Sequence, residues 1–239
     1  MHEYYKKHTA KLKKRMNSFL KCIKLELESD LKMSYETIFD EAWEIYYHKY
    51  MEAFPYIGGD KCSKTVNLTG AYCYIALGDA VRKHGVSLER WGELTTIAYK
   101  RYFNRFPKFI MHFLGAFFRH NPKIVKKILN KKDIQNAKNA KQNTGSFETE
   151  LQLSTDKYFI IFHINVCPLY LLAKRLGCME YMPYMCNLDY VMYDAFNIPF
   201  ERTKTCAIGD DYCNYCFKSK GKPTSYWPCH AMDVNDPLV

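Results

Sequence analysis

Seven of the ten cysteines in this chain follow residue 160: Cys167, Cys178, Cys186, Cys206, Cys213, Cys216 and Cys229. A thiol can serve as a nucleophile, a metal ligand or a small buried apolar group, and each use asks for different neighbours. Cys186 lies three residues after Pro183, a residue suited to the opening of a helix. Unpaired backbone N–H groups in such a first turn would favour its thiolate. Asp189 follows on the same helix face, where it could accept or deliver a proton. Two anions that close require a cation. Arg202 supplies a guanidinium, either for them or for a substrate carboxylate.

The same residues allow a metal reading. Cys186, Asp189, Cys206 and Cys213 would offer zinc three thiolates and a carboxylate if the helix packs on the following strands. Zinc is the one cofactor this pattern suggests. Cys213 and Cys216 make a poor clamp on an extended strand, since positions three apart face opposite ways. Cys178, Cys216 and Cys229 read as packing residues. His163 opposes Phe162 and Ile164 in strand parity and so faces solvent or a cavity. The chain has no HExxH, GxSxG, phosphate-binding loop or GxGxxG, so those chemistries lack local support.

The elements that must position these residues change character midway. Residues 4–28 and 34–52 are amphipathic and helical in period. Pro55 and Gly58-Gly59 break the pattern. A third helix starts at Asn67 or Thr69 as N-cap and ends before Gly85; Ser87 caps a fourth that runs to Phe106. Residues 109–133 give one or two more helices, and Asn136 to Gly145 reads as a polar loop. Strands are expected at 147–153 and 157–166, helices at 168–176 and 183–196, and strands at 200–207 and 212–218 across a Gly209-Asp210-Asp211 hairpin turn. The tail from Gly221 carries three prolines and should wrap the surface. Elements that segregate in this way predict an α+β fold: a helical N-terminal half on a small antiparallel sheet with inserted helices.

Residues 1–54 read as a helical extension that could mediate a homo-oligomer, and 55–239 as the main domain. The net charge of +10 is concentrated in two basic blocks, Lys6 to Lys24 and Arg119 to Lys141. Neither carries a nucleic-acid signature, so both read as solvated helix faces with no nucleic-acid partner. The longest apolar stretch, Phe109 to Phe118, is too short to span a bilayer, and no membrane partner is expected. The charged N-terminus does not resemble a secretory signal, which points to a reducing, cytoplasmic setting for the thiols.

Cys186-Asn187-Leu188-Asp189-Tyr190, then Phe200-Glu201-Arg202-Thr203-Lys204-Thr205, then Gly209-Asp210, then Cys213-Asn214-Tyr215 resembles the signature of the L-2-amino-thiazoline-4-carboxylic acid hydrolase family. That family shows a C-x-x-D helix, an R-T-x-T strand and a G-D turn before a cysteine and an aromatic strand. Cys167, ahead of Leu176-Gly177, matches a further cysteine, and Asn67 to Phe106 is similar to the helical portion. The resemblance covers about residues 55–218. It implies hydrolysis of a C–N bond in a small cyclic amidine bearing a carboxylate, by ring opening to an N-carbamoyl product. Cys186, Asp189, Arg202, Cys167 and Cys213 would be the catalytic set; Arg202, Thr203, Thr205 and Tyr190 would hold substrate. Two positions depart from the pattern: Cys206 stands where an aliphatic residue is more usual, and Asn214 where an Asp is. The hairpin also resembles vinyl-reductase-type small-molecule-binding domains, which would make the chain a sensory module with a structural zinc.

Overall fold

The structure is a computed structural model and describes residues 1–223; Cys229 and most of the proline-rich tail lie outside the described residues. Four helices come first: α1 (Glu3–Lys7), α2 (Thr9–Leu20), α3 (Lys24–Leu31) and α4 (Tyr35–Ile45). The expected 4–28 helix is therefore segmented, with a 3-10 turn at Lys21–Ile23. Ser34 caps α4 by accepting from the Thr37 amide, and the helix runs on through a π-helical turn, Tyr46–Met51.

Next come α5 (Thr65–Lys83), α6 (Leu88–Phe103), α7 (Lys108–His120) and α8 (Pro122–Gln142). Ser87 caps α6 through the Arg90 amide, and Gly85 takes a positive φ of 87° just past α5, both as expected. Neither Asn67 nor Thr69 is a cap. The chain turns earlier because the buried Thr65 hydroxyl donates to the Gly59 carbonyl (2.8 Å), and α5 begins there. The predicted loop from Asn136 is helical as far as Gln142. Buried Asn139 holds it by donating to the Ile57 carbonyl (2.7 Å) and to Ser146 Oγ (2.6 Å). Tertiary partners override the weak helix preference of that polar run.

The C-terminal part contains β1 (Glu148–Gln152), β2 (Ile160–Val166), α9 (Pro168–Leu176), α10 (Met182–Ala195), β3 (Phe200–Glu201) and β4 (Cys213–Phe217). The four strands form one antiparallel sheet in the order β1-β2-β4-β3, so α9 and α10 are indeed inserted between strand pairs. Ile160, Phe162 and Ile164 lie opposite Phe217, Tyr215 and Cys213. Period-two alternation puts these six on one face. That face meets α10: Phe200 touches the rings of Tyr190 (4.7 Å) and Tyr193 (4.8 Å), and Phe162 stacks on Tyr215 (4.5 Å). His163 is on the other face, stacked on Tyr212 (4.2 Å), and burial lowers its pKa.

One hydrophobic core runs from Tyr5 to Phe217. Tyr46 donates to the Thr69 carbonyl (3.0 Å), tying the turn after α4 to α5, and Trp91 donates to the Tyr74 carbonyl (2.8 Å), tying α6 to α5. Tyr72 of α5 donates to the Leu169 carbonyl of α9 (2.8 Å). The result is an α+β fold in which the helical half and the small sheet share an interior. No helix among the described residues is long and apolar enough to cross a membrane.

Candidate thiol site

Four chain segments converge beside the aromatic sheet face: the start of α9, the middle of α10, the loop after β3, and the start of β4. The loop is the unexpected part. The strand predicted over 200–207 pairs only at Phe200–Glu201. Asn214 bends the chain away, its side-chain carbonyl accepting from the Thr203 and Lys204 amides (both 2.9 Å) and its amide donating to Thr203 Oγ1 (2.7 Å). An aspartate could make the first two bonds; the third uses the NH2 of asparagine as donor. Cys206–Ile208 then form a 3-10 turn capped by Thr205. Gly209, at φ 107°, reverses the chain in a region side chains avoid. Asp210 fixes the reversal by accepting from the Thr205 amide (2.8 Å).

This loop sets the sulfur geometry. The Cys206 amide points at Cys213 Sγ (3.3 Å), and the buried Thr205 hydroxyl lies 3.4 Å from the same sulfur and 3.7 Å from Cys186 Sγ. Hydrogen bonding by Cys206 lowers the Cys213 pKa against the opposing cost of burial; the Arg202 charge and the Thr205 hydroxyl act in the same direction. Cys206, as donor, has its own pKa raised. Burial raises Cys186 despite the nearby Arg202 charge, and it pushes Cys167 up to about 11. The thiol prepared to ionise is thus Cys213. Cys186 is the fifth residue of α10, past the turn whose free N–H groups were expected to activate it.

Arg202 is 5% exposed, with Nη1 and Nη2 hydrogen-bonded and Nε buried without a partner among the described residues. It donates to Asp189 Oδ2 (2.5 Å) and to the Cys186 carbonyl (2.9 Å), and its guanidinium carbon sits 4.3 Å from the centre of the Tyr215 ring. Tyr215 also donates to Asp189 Oδ2 (2.7 Å). Asp189 and Cys186 do share a helix face, but the carboxylate turns to the guanidinium and phenol. Tyr190 spends its hydroxyl on the Arg202 backbone (3.1 Å from the amide), and Thr203 is exposed beside Asn214. Of the four residues expected to hold substrate, only Thr205 reaches the sulfurs.

The zinc set does not form. Among the described residues no three of His, Cys, Asp and Glu are disposed to hold a metal ion. Asp189 is taken by Arg202 and Tyr215, and the Cys206 amide is turned to Cys213 Sγ. Cys213 and Cys216 occupy opposite sheet faces, as their spacing required. All nine described cysteines are free thiols.

Tyr215, Asn214 and Asp210 do work here that the sequence reading did not assign. Tyr215 was accessible to it: two residues from Cys213, it must share that residue's face. Lys64 is a second omission. It sits just before α5, over the Phe147 ring (4.8 Å), with its pKa lowered by burial and the Cys167 thiol as the strongest opposing influence. The clefts lined by Arg15 and Asp60 and by Asp79 and Arg82 are built from other residues.

No curated protein and no solved structure matches the chain. A family model described as L-2-amino-thiazoline-4-carboxylic acid hydrolase matches residues 66–217, from the first turn of α5 to the last residue of β4. That span holds Cys167, Cys186, Asp189, Arg202, Thr205, Cys206 and Cys213 and more than half of the chain. With the matched region ending on the strand that carries Cys213, the chain belongs to the L-2-amino-thiazoline-4-carboxylic acid hydrolase family.

Proposed function

We propose that this chain is a hydrolase that opens the ring of a small cyclic amidine bearing a carboxylate, with Cys213 as the nucleophile. The supporting observation is the thiol pair, in which Cys206, its amide and the Thr205 hydroxyl all favour the Cys213 thiolate. The thiolate is the attacking form of cysteine.

The Cys213 sulfur adds to the amidine carbon, and the C=N electron pair moves to nitrogen, which takes a proton. The ring heteroatom leaves with its bonding pair and is protonated, leaving an isothiouronium adduct. Water adds to that carbon and gives up its protons, and Cys213 departs as thiolate from a urea product. One water is consumed. With a thiazoline, a product carrying N-carbamoyl requires the carbon–sulfur bond to break; in an all-nitrogen ring the same steps break carbon–nitrogen.

In this reading Arg202, Asp189 and Tyr215 are positioning residues. The guanidinium keeps positive charge near the sulfur, and the carboxylate and phenol fix it in place. Because Arg202 is ion-paired with Asp189, the substrate carboxylate is assigned to Lys64, which enters no ion pair among the described residues. Half-buried Cys186 and Cys167 form the approach to Cys213. Free thiols throughout the described chain fit a reducing, cytoplasmic setting.

The test is ring opening of L-2-amino-thiazoline-4-carboxylate by wild type, Cys213→Ser and Cys186→Ser, matched by circular dichroism. Cys213→Ser should lose roughly a hundredfold or more in kcat/KM, and Cys186→Ser far less. A wild-type rate in Cys213→Ser would remove the nucleophile assignment. The alternative reading is a small-molecule-binding module. Calorimetric binding of the same compound with no turnover would select it.

A further inference from the structure

Helix α7 buries little of itself. Met111 and Gly115 are its buried residues, and Phe118 reaches the rings of Phe159 and Phe217. Around the rest of the helix Phe106, Phe109, Ile110, Phe113, Leu114 and Phe117 are exposed, Phe109 at 74% and Phe113 at 70%. Spaced by threes and fours, they form one continuous stripe. A contiguous apolar surface of this kind marks an interaction site.

The charge beside it is one-sided. Residues 107–142 contain nine Lys and Arg against one Asp, while the rest of the chain has 26 against 24. Lys123, Lys127, Lys131, Lys132 and Lys138 are exposed on α8 and enter no ion pair among the described residues. The single acid, Asp133, accepts from Thr149 Oγ1 (2.6 Å). Helix α8 follows α7 after Asn121 alone, so the lysines are on the helix next in the chain to the stripe.

We propose that α7 and α8 dock this protein on the surface of an anionic phospholipid membrane, with the phenylalanine stripe in the interface and the lysines among the headgroups. The chemistry discriminates among occupants. Two copies meeting through this face would bring nine cations against nine. A nucleic acid would leave six bare apolar side chains on a phosphate backbone. An anionic bilayer satisfies both features, and an interfacial helix with a basic polar face is the form such binding takes. Nothing here requires a helix to span the bilayer. This proposal departs from the membrane-free expectation drawn from sequence. The helix is seated firmly enough to serve: Arg119 donates to the Asn197 carbonyl (3.2 Å) and the Ser219 carbonyl (3.0 Å).

Co-sedimentation of the full chain with vesicles tests the proposal, using phosphatidylcholine alone and phosphatidylcholine with about one third phosphatidylserine. Binding should need the anionic lipid and fall steeply with salt. Phe109→Ser with Phe113→Ser, and separately Lys127→Glu with Lys131→Glu, should each weaken it roughly tenfold or more. These side chains are exposed, so far-UV circular dichroism should stay that of wild type. Absence of binding to the anionic vesicles, or equal binding by the serine variant, overturns the proposal. So does a wild-type dimer in light scattering that the serine variant abolishes while vesicle binding persists.

Discussion

Cys206 and Cys213 have unequal roles. Cys213 Sγ faces the Cys206 amide and the Thr205 hydroxyl and its pKa is lowered by Cys206, whereas that of Cys206 is raised. A lowered folded-state pKa means that the Cys213 thiolate persists as pH falls below the ordinary thiol value of about 8.5, and is lost only at the lowered value. Cys206→Ala removes the donor with the largest effect. The midpoint of Cys213 alkylation against pH should then rise by about one unit or more, and the acid limb of kcat/KM should move with it. An unmoved midpoint would show that Arg202 and the backbone set the acidity without the second thiol.

At the scale of elements, α7 meets α10 at Gly115. A methyl group there would collide with the Phe196 carbonyl oxygen, a backbone atom that no rotamer change can move. Gly115→Ala should therefore cost about 2 kcal/mol or more, readable as a lower denaturant midpoint at unchanged slope. Much at this level was legible beforehand. Ser87, Gly85 and Gly177 end or begin helices by local chemistry, and the alternation in 157–166 depends on no distant partner. Pro183 marks the opening of α10, though one residue later than the helix begins. The misses share one cause. Asn139 stays helical because Ile57, far away in the chain, accepts its amide. The strand after Glu201 is cut short by Asn214, and Cys186 lost its expected activation because α10 starts at Met182. Sequence spacing placed Cys186, Asp189 and Arg202 together, but only the folded loop decides that the guanidinium is spent on Asp189 and that Cys213 gathers the donors.

Across the whole molecule, the first fifty residues are not spectators. Tyr46 is buried and bonded to α5, Arg15 donates to Thr69 (3.4 Å), and Met16, Leu20 and Trp43 belong to the common core. Deleting residues 1–54 should strip cover from Leu68, Tyr72 and Ile75 and leave a chain that does not fold alone. Limited proteolysis and circular dichroism of residues 55–239 would check this, and a cooperative melt in that fragment would show the opposite. The distribution of charge has a consequence at the same scale. The positive charge sits in two segments, Lys6 to Lys24 and 107–142, against a net acidic remainder, so the charge distribution is uneven. A negatively charged partner would exert a torque on the free molecule before the two touch, turning α8 forward during approach. Orientation would then be settled by long-range forces in dilute salt, and by random collision once counterions are abundant.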